Sequence, residues 1–448
     1  MKNGLHSKFA TPENLTGKRV TVVGLGRFGG GVGAASWLCS QGAIVTVTDA
    51  APADALEESI AQLSDLEINF DLGGHSPESF TQADLLVVSP AIPPQMPLLK
   101  QARQAGKPIT TEINLFIERC PCKIVAITGS VGKSTTTAMV GEVLKTRYRT
   151  HVGGNIGKSL LPDLDKISAD DIAVLEISSF QLEYTREINF RPDIALVTNL
   201  IPNHLDRHET MENYSDAKQN IFRFQVASDL LILNAVDDAI KVWASDAPSR
   251  VEFFSPDDDA FDLAIPGLHN QANAQATWAI AKSLGISRHD TARALGKFPG
   301  LIHRLEFVCE NQLIKFFNDS KCTTPTGAVV ALNAFAPGKT ILLAGGYDKK
   351  VSFAELAQTI ATRAKAVIAF GQVGAQIAAD VKNAPGFHCE LVVENVDTLE
   401  EAFAGALKLS APGDNILLSP ACASYDQFTN YQQRGELFRK LVKNCSKF

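Results

Sequence analysis

Short apolar segments alternate with helical patterns along almost the entire chain of 448 residues. Continuous apolar segments are typical of strands that are buried on both faces of a parallel sheet. The helical patterns between them supply the crossover connections that parallel strands need. The sequence therefore predicts an α/β fold of doubly wound parallel sheets. The predicted strands lie near residues 18–23, 43–48, 85–89, 124–128, 172–176, 194–199, 230–234, 340–344, 366–370 and 415–419.

These strands form three groups, and a chain of this length exceeds one ordinary core, so we expect three domains. The first is a Rossmann-like N-terminal domain over residues 1–111. The second is a P-loop mononucleotide-binding central domain over residues 112–300, and the third is a Rossmann-like C-terminal domain over residues 301–448. Proline and glycine near residues 298–301 mark the second boundary.

The composition excludes several other classes of protein. A hydrophobic content of 45% with 20% charged residues is ordinary for a globular protein and argues against disorder. The net charge of −7 and the lack of a basic run predict no nucleic-acid partner. No apolar run reaches the length of a membrane span, and no signal-peptide core is present, so we expect a cytoplasmic protein that is not inserted in a membrane. Among the eight cysteines only Cys120 and Cys122 are closely spaced, which predicts free thiols rather than a zinc site.

A glycine turn between a predicted strand and a predicted helix is the most specific local signal. A turn of this kind places backbone N–H groups and the positive end of a helix dipole around a phosphate. A lysine at its end can reach the β- and γ-phosphates of a nucleoside triphosphate, and the following hydroxyl can hold Mg²⁺. Ile127 stands where the general pattern has its first glycine. The predicted ATP-binding loop consists of Gly129, Ser130, Val131, Gly132, Lys133, Ser134 and Thr135.

A second glycine pattern, Gly24, Gly26 and Gly29, follows the first predicted strand, and Asp49 ends the next strand. Three interpretations stay open. The glycines permit close packing of a helix on a strand, or the pattern binds NAD, or it binds another nucleotide with a diphosphate at the helix N-terminus and Asp49 near a uridine or ribose. The pattern therefore predicts a ligand with a diphosphate and does not require nicotinamide.

Glu176 and His204 lie at the ends of two predicted strands of the central domain. Because ligands of open α/β sheets bind at the carboxyl ends of the strands, we expect both side chains to face the predicted ATP-binding loop. Glu176 could instead be a helix cap, and His204 an ordinary loop histidine. Together with Lys133 and Ser134, a site for Mg²⁺ is the favoured interpretation.

Ordered motifs in all three predicted domains resemble the ATP-dependent Mur ligases of peptidoglycan synthesis. The matching motifs are at residues 129–135, 176–183, 204, 214–218, 267–273, 303–304, 318–323 and 418–428. Residues 176–183 and 418–428 are similar to the branch of the family that adds glutamate to UDP-N-acetylmuramoyl-L-alanine. The resemblance implies that the substrate carboxylate attacks the γ-phosphate of ATP, and that the amine of glutamate then attacks the resulting acyl phosphate. D-Glutamate is the expected amino acid and L-glutamate is the alternative.

The resemblance also implies catalytic roles for Lys133, His204 and Lys218. It implies two Mg²⁺ sites, one held by Ser134 and Glu176 and one by His204 and a carbamylated Lys218. The helical context alone would predict a solvated lysine at position 218, because lysines are seldom buried.

The remaining roles are carried over from the family position by position, and a monomer is expected. The implied ATP contacts beyond the loop are Asn270, Asn273, Arg304 and Asp319. The implied contacts to the nucleotide sugar are Gly24, Gly26, Arg27, Asp49 and Asn155. The implied contacts to glutamate are Lys321, Thr323, Lys349, Ser424 and Tyr431.

Three other classes fit part of the sequence. A folylpolyglutamate-type ligase shares the central chemistry but lacks a dinucleotide-like first domain. An NAD-dependent oxidoreductase would leave Lys133, Glu176 and His204 without a role. A noncatalytic P-loop regulator would not need a third domain with hydroxyls and cations at its strand ends. The ligase interpretation uses every motif and is therefore favoured.

Overall fold

The structure, a computed structural model, describes residues 11–26 and 29–445. It contains two compact units, one formed by Met1–Asp258 and Asn273–Thr291, the other by Asp259–Ala272 and Ala292–Phe448. The first unit holds two sheets and the second unit holds one. The predicted α/β class is therefore confirmed, with three separate sheets along the chain.

The first sheet is entirely parallel and has the strand order β3-β2-β1-β4-β5. Its strands are β1 (Arg19–Val23), β2 (Ile44–Asp49), β3 (Ile68–Leu72), β4 (Leu85–Val88) and β5 (Ile109–Thr110). Its helices are α1 (Gly30–Ser40), α2 (Glu57–Ala61), α3 (Pro77–Thr81), α4 (Pro97–Gln104) and α5 (Glu112–Arg119). The strand order changes direction between β1 and β4, which is where ligands bind in open α/β sheets. The segment that carries Gly24, Gly26 and Gly29, called here the first glycine loop, follows β1 at this point.

The second sheet is also parallel, in the order β11-β10-β9-β6-β8-β7. Its strands are β6 (Lys123–Thr128), β7 (Thr150–Gly154), β8 (Ile172–Glu176), β9 (Ile194–Val197), β10 (Leu230–Asn234) and β11 (Arg250–Phe254). The helices along this part of the chain are α6 (Lys133–Leu144), α7 (Ser179–Thr185), α8 (Leu205–His208), α9 (Met211–Gln219), α10 (Asp238–Lys241), α11 (Leu268–Ser283) and α12 (Arg288–Leu295). The loop over residues 129–132, the second glycine loop, follows the central strand β6.

The third sheet has the order β12-β13-β17-β14-β15-β16. Its strands are β12 (Glu306–Asn311), β13 (Ile314–Asn318), β14 (Thr340–Gly345), β15 (Ala366–Phe370), β16 (Val392–Val396) and β17 (Asn415–Leu418). Its helices are α13 (Pro325–Asn333), α14 (Ala354–Arg363), α15 (Gly374–Lys382), α16 (Leu399–Leu409) and α17 (Tyr431–Cys445). The expectation of purely parallel sheets is wrong at one edge, because β12 runs antiparallel to β13. Gln312 and Leu313 join them with φ values of 50° and 62°, the left-handed backbone that a two-residue hairpin requires.

Every predicted strand is present, and the strands that were not predicted lie mainly at sheet edges. The edge strands β3 and β16 expose several side chains, so polar residues interrupt the apolar run that marks a buried strand. One apolar core joins the first and second sheets through residues such as Val22, Phe116 and Ala126. No helix in the described part of the chain is both long and apolar enough to cross a membrane.

Candidate functional site

The second glycine loop needs glycine at two positions for different reasons. Gly132 is the N-cap of α6 and has a φ of 83°, and a Cβ on Gly129 would lie only 1.9 Å from the hydroxyl of Thr198. The loop is braced at Val131, whose carbonyl accepts hydrogen bonds from Thr198 Oγ1 at 2.7 Å and Asn199 Nδ2 at 3.0 Å. The sequence did not indicate this bracing role for the end of β9.

Two lysines converge on one carbonyl of this loop. Lys133 Nζ donates to the carbonyls of Gly129 and Ser130 at 2.9 Å each. Lys218 Nζ donates to the Gly129 carbonyl at 2.7 Å and lies 4.6 Å from the centre of the Tyr214 ring. Lys218 is only 1% exposed, so the helical context alone would have misplaced it. Burial, and after it the charge of Lys133, lowers the pKa of Lys218 well below its ordinary value.

Glu176 ends β8 as a buried carboxylate, 1% exposed. Its Oε1 accepts a hydrogen bond from Asn155 Nδ2 at 2.9 Å. Its Oε2 is buried and has no hydrogen-bond partner within the described residues. The helix-cap interpretation is wrong, because the cap of α7 is Ser178, whose hydroxyl accepts from the Gln181 N–H. A buried acceptor without a donor is costly, so this oxygen suits a cation.

His204 immediately precedes α8 and has a left-handed backbone with a φ of 53°. The residue is exposed, and its ring centre lies 5.0 Å from that of Phe180. Partial desolvation of the ring, and after it the charge of Lys133, lower the pKa of His204, which favours the neutral imidazole with a lone pair available for a metal.

Ser134 is the second residue of α6, directly after Lys133. Nowhere in residues 11–26 and 29–445 do three or more histidine, cysteine, aspartate or glutamate side chains gather as a ready metal site. A cation at Glu176 or His204 would therefore need further ligands from a phosphate, water or modified side chain.

The first glycine loop is held by Asp49. Its Oδ2 accepts the N–H groups of Leu25 at 2.8 Å and Gly26 at 3.1 Å, and its Oδ1 accepts the Ala51 N–H at 2.9 Å. The structure thus gives Asp49 a loop-bracing role that the sequence did not indicate. Arg27 lies outside the described residues.

The packing explanation of these glycines holds for Gly24 and fails for the other two. A Cβ on Gly24 would lie 2.9 Å from the Ser89 side chain. Gly26 and Gly29 have φ values of 61° and 84°, and a Cβ there would meet no atom within 4 Å. Their conformation, rather than close packing, requires glycine.

Other close contacts lie just beyond the first glycine loop. A Cβ on Gly31 would lie 2.3 Å from the Leu25 carbonyl oxygen, and one on Gly33 would lie 2.6 Å from Ser159 Cβ. The hydroxyl of Ser159 donates to Glu112, and burial raises the pKa of Glu112 to about 7. Helix α1 is thereby joined closely to the segment after β7 and to α5.

The two asparagines among the implied ATP contacts, Asn270 and Asn273, fall in different compact units. Asn273 lies beside the second glycine loop, because its Oδ1 accepts a hydrogen bond from Thr136 Oγ1 at 3.1 Å and would lie 2.6 Å from a Cβ on Gly132. Asn270 is buried, and its Nδ2 donates to the Pro266 carbonyl at 2.7 Å.

In the second unit, Asp319 is buried at the end of β13. Its carboxylate accepts the Leu305 N–H at 3.0 Å and the Ser419 hydroxyl at 2.8 Å. Burial raises the pKa of Asp319 to about 6. Arg304 is exposed and immediately precedes Leu305, so the structure brings the predicted ATP contacts Arg304 and Asp319 together.

The predicted glutamate contacts fall on neighbouring loops of the second unit. Lys321 Nζ lies 5.7 Å from the centre of the Tyr431 ring. A backbone bridge between Tyr347 and Ala423 brings the loop of Lys349 beside that of Ser424. Lys349 is exposed, Thr323 is partly buried and Ser424 is buried.

Arg434 is a fully buried arginine that joins these loops and that the sequence did not indicate. Its guanidinium donates to the carbonyls of Ser320 at 2.8 Å, Cys422 at 3.0 Å and Ala423 at 3.3 Å. Burial lowers its pKa to about 10. The available signal was helical spacing, since Arg434 lies four residues before Phe438 and eight before Val442 on the buried face of α17.

The second sheet, its central glycine loop and the lysines on that loop define an α/β protein of the phosphate-loop class. Three family profiles match in chain order. They are the Mur ligase MurD-like N-terminal domain at residues 18–111, the Mur ligase middle domain at 127–282 and the Mur ligase glutamate ligase domain at 303–422. The chain belongs to the Mur ligase family.

Relatives support the same assignment along the full alignment. The UDP-N-acetylmuramoylalanine–D-glutamate ligase of Acidobacterium capsulatum is 40% identical, with 96% of each chain covered. The enzyme of the same name from a Roseiflexus species is 38% identical, covering 96% of this chain and 99% of its own. Among solved structures, the UDP-N-acetylmuramate-alanine ligase of Thermotoga maritima matches with a TM-score of 0.58 at 21% identity, covering 96% of this chain and 100% of its own. That likeness concerns the fold.

Proposed function

We propose that this chain is an ATP-dependent amide ligase that adds D-glutamate to UDP-N-acetylmuramoyl-L-alanine in the synthesis of peptidoglycan precursors. The names of the relatives that are similar along almost the whole chain support this substrate pair. We also propose a cytoplasmic monomer in which residues 1–111 bind the nucleotide sugar, 112–300 bind ATP, and 301–448 bind glutamate and close over ATP.

The observation that carries the proposal is the pairing of a cationic loop with an unsatisfied carboxylate. Lys133 and Lys218 both donate to the Gly129 carbonyl, and no residue in the described part of the chain donates to the buried Glu176 Oε2. Lysine at a helix N-terminus favours a polyphosphate, and an unpartnered carboxylate favours a divalent cation. A nucleoside triphosphate with its metal supplies both.

The residues fit two Mg²⁺ ions, which would neutralise phosphate charge as the phosphoryl group transfers. Ser134 and Glu176 would hold one ion, and His204 and a carbamylated Lys218 would hold the other. The second glycine loop would bind the phosphates of ATP through its N–H groups, and Lys133 would balance charge on the β- and γ-phosphates.

Carbamylation of Lys218 is chemically reasonable in this setting. The neutral amine attacks CO₂ and loses one proton, which leaves a carbamate anion. Burial and Lys133 lower the pKa of Lys218, which increases the neutral fraction of the amine. The modified side chain would then carry the negative charge that a metal ligand needs.

The chain's other residues bind and orient the reactants. The first glycine loop and Asn155 would hold the nucleotide sugar so that its carboxylate attacks the γ-phosphate. The adenosine and phosphates would also contact Asn270, Asn273, Arg304 and Asp319. The amine of glutamate would then attack the acyl phosphate, and phosphate would leave. Glutamate would be held by Lys321, Thr323, Lys349, Ser424 and Tyr431.

The test is phosphate release from ATP in the presence of UDP-N-acetylmuramoyl-L-alanine and D-glutamate, L-glutamate or no amino acid. We expect release that requires both the nucleotide sugar and D-glutamate. Release only with L-glutamate would change the assigned amino acid. No release with any combination would overturn the proposed function.

A further inference from the structure

Helix α8 is a single turn that follows His204 and carries Arg207. The Arg207 side chain extends to the loop after β4 of the first sheet. Its Nη1 donates to the Ala91 carbonyl at 3.1 Å, and its Nη2 lies 3.4 Å from the Pro90 carbonyl and 3.5 Å from the Ile92 carbonyl. The side chain is 13% exposed. One guanidinium therefore contacts three consecutive carbonyls of the neighbouring sheet's loop.

The same guanidinium supports the surroundings of His204. Arg207 Nη2 donates to Glu183 Oε2 at 3.0 Å, and the guanidinium carbon lies 4.7 Å from the centre of the Phe180 ring. The Phe180 ring lies 5.0 Å from that of His204. The Arg207 N–H also donates to the His204 carbonyl at 3.1 Å. Arg207 thus contacts both the backbone of His204 and the ring on which the imidazole packs.

The loop after β4 is in turn packed on the first glycine loop. A Cβ on Gly24 would lie 3.0 Å from Ile92 Cδ1, so the two loops are in contact at this point. The hydroxyl of Tyr184, on α7, donates to the Ile92 carbonyl at 3.3 Å and adds another link to the elements around the second sheet. A continuous series of contacts therefore runs from the first glycine loop through Ile92 and Arg207 to His204.

The turn at His204 needs contacts with its surroundings to be stable. At its C-terminal end the buried His208 supplies one, since its Nε2 lies 2.9 Å from Ser179 Oγ. Towards the loop after β4, Arg207 supplies another. An isolated single helical turn is unstable, because it fixes several dihedral angles for few hydrogen bonds. The left-handed backbone of His204 adds strain that the surroundings must overcome. An arginine with planar, directional donors on three carbonyls and a carboxylate can supply this restraint.

We propose that Arg207 is a positioning residue that fixes the His204 turn to the loop after β4. Binding of the nucleotide sugar at the first glycine loop then steadies His204. This coupling rests on the proposed function, whereas the restraint of the turn itself does not.

The test compares Arg207→Met with Arg103→Met in the full chain. Arg103 lies in α4, donates to the Pro94 carbonyl at 2.8 Å and pairs with Glu187 at 3.7 Å. Arg103 therefore also links elements of the first and second sheets, but within the described residues it makes no hydrogen bond or ion pair with the His204 turn. Hydrogen–deuterium exchange of residues 203–209 is measured without ligands and with UDP-N-acetylmuramoyl-L-alanine, in both cases without ATP or metal. Calorimetry gives the affinity of each protein for the nucleotide sugar.

In the ligand-free proteins we expect exchange at 203–209 to be about tenfold faster in Arg207→Met and unchanged in Arg103→Met. The nucleotide sugar should slow this exchange in the wild-type protein and not in Arg207→Met. Equal exchange in the two ligand-free variants would overturn the restraint. Equal slowing by the ligand in wild type and Arg207→Met would overturn the coupling. A wild-type protein that does not bind the nucleotide sugar would instead overturn the proposed function, and the ligand-free comparison would still decide the restraint.

Discussion

Lys133 illustrates how the backbone of a loop can position a single side chain. Its ammonium donates to two carbonyls of the second glycine loop, Gly129 and Ser130. Replacing it by alanine should lower the turnover number by about 10²–10³-fold, because charge on the transferring phosphoryl group is no longer balanced. Steady-state phosphate release measures this. Lys145→Ala, which removes an exposed lysine of the same region, should leave the rate unchanged.

Lys218 allows a test of its proposed modification. Lys218→Ala should lose most activity, and short carboxylic acids such as acetate or formate should restore part of it by replacing the carbamate. The comparison is the rate with and without added acid for Lys218→Ala and Lys133→Ala. Restoration of both variants, or of neither, would contradict carbamylation at Lys218.

Glu112 should make stability depend on pH. Its folded-state pKa, raised by burial from 4.5 to about 7, means that the folded protein binds a proton more tightly than the unfolded chain does. Its contribution to the free energy of unfolding is therefore largest below pH 4.5 and falls as the pH rises to about 7. Urea unfolding across this range should show a smaller decline in Glu112→Gln. Glu142→Gln, at an exposed glutamate of α6, should decline as the wild type does.

The residue roles that the sequence did not predict are those that depend on contacts between residues far apart along the chain. Burial of Lys218 and the unpartnered Oε2 of Glu176 depend on strands that meet only in the folded sheet. Arg434 likewise donates to the carbonyl of Ser320, which follows β13 and is far away along the chain. Helical spacing could place Arg434 on a buried face, but it could not name the carbonyls that the guanidinium would meet.

At the level of elements, helix α1 contains adjacent glycines in opposite surroundings. A Cβ on Gly30 would meet nothing within 4 Å, whereas one on Gly31 would lie 2.3 Å from the Leu25 carbonyl oxygen. Gly30→Ala should raise the free energy of unfolding by about 0.4–1 kcal/mol, because alanine reduces the conformational entropy of the unfolded chain. Gly31→Ala should destabilise by about 1–3 kcal/mol through overpacking. Chemical denaturation compares them directly, and equal effects would contradict the described packing.

Burial distinguishes most of the strands that the sequence predicted from those that it did not. Central strands such as β6, β8 and β9 are buried on both faces, so their sequences are continuously apolar and the pattern finds them. Edge strands such as β3 and β16 face solvent in part, and their alternation with polar residues hides them. The antiparallel β12 was missed because its partner is set by a two-residue turn without glycine.

At the level of the whole molecule, the core shared by the first two sheets should make them unfold together. Val22 of the first sheet and Ala126 of the second belong to the same cluster. Val22→Ala should cost on the order of 2 kcal/mol and should speed hydrogen exchange equally in β1 and β6. Val236→Ala, at a side chain that is 53% exposed, should change neither. Faster exchange in β1 alone would mean that the two sheets open separately.

The contact between Gly33 and Ser159 limits how this protein can be recombined with its relatives. A methyl group at position 33 would lie 2.6 Å from the Ser159 side chain, so the helix after the first glycine loop and the segment after β7 fit each other without spare volume. A chimera that takes only the first sheet from another family member would replace one side of this contact and keep the other. A chimera with a foreign first sheet should therefore fold stably only when the residues around Ser159 and Glu112 come from the same relative.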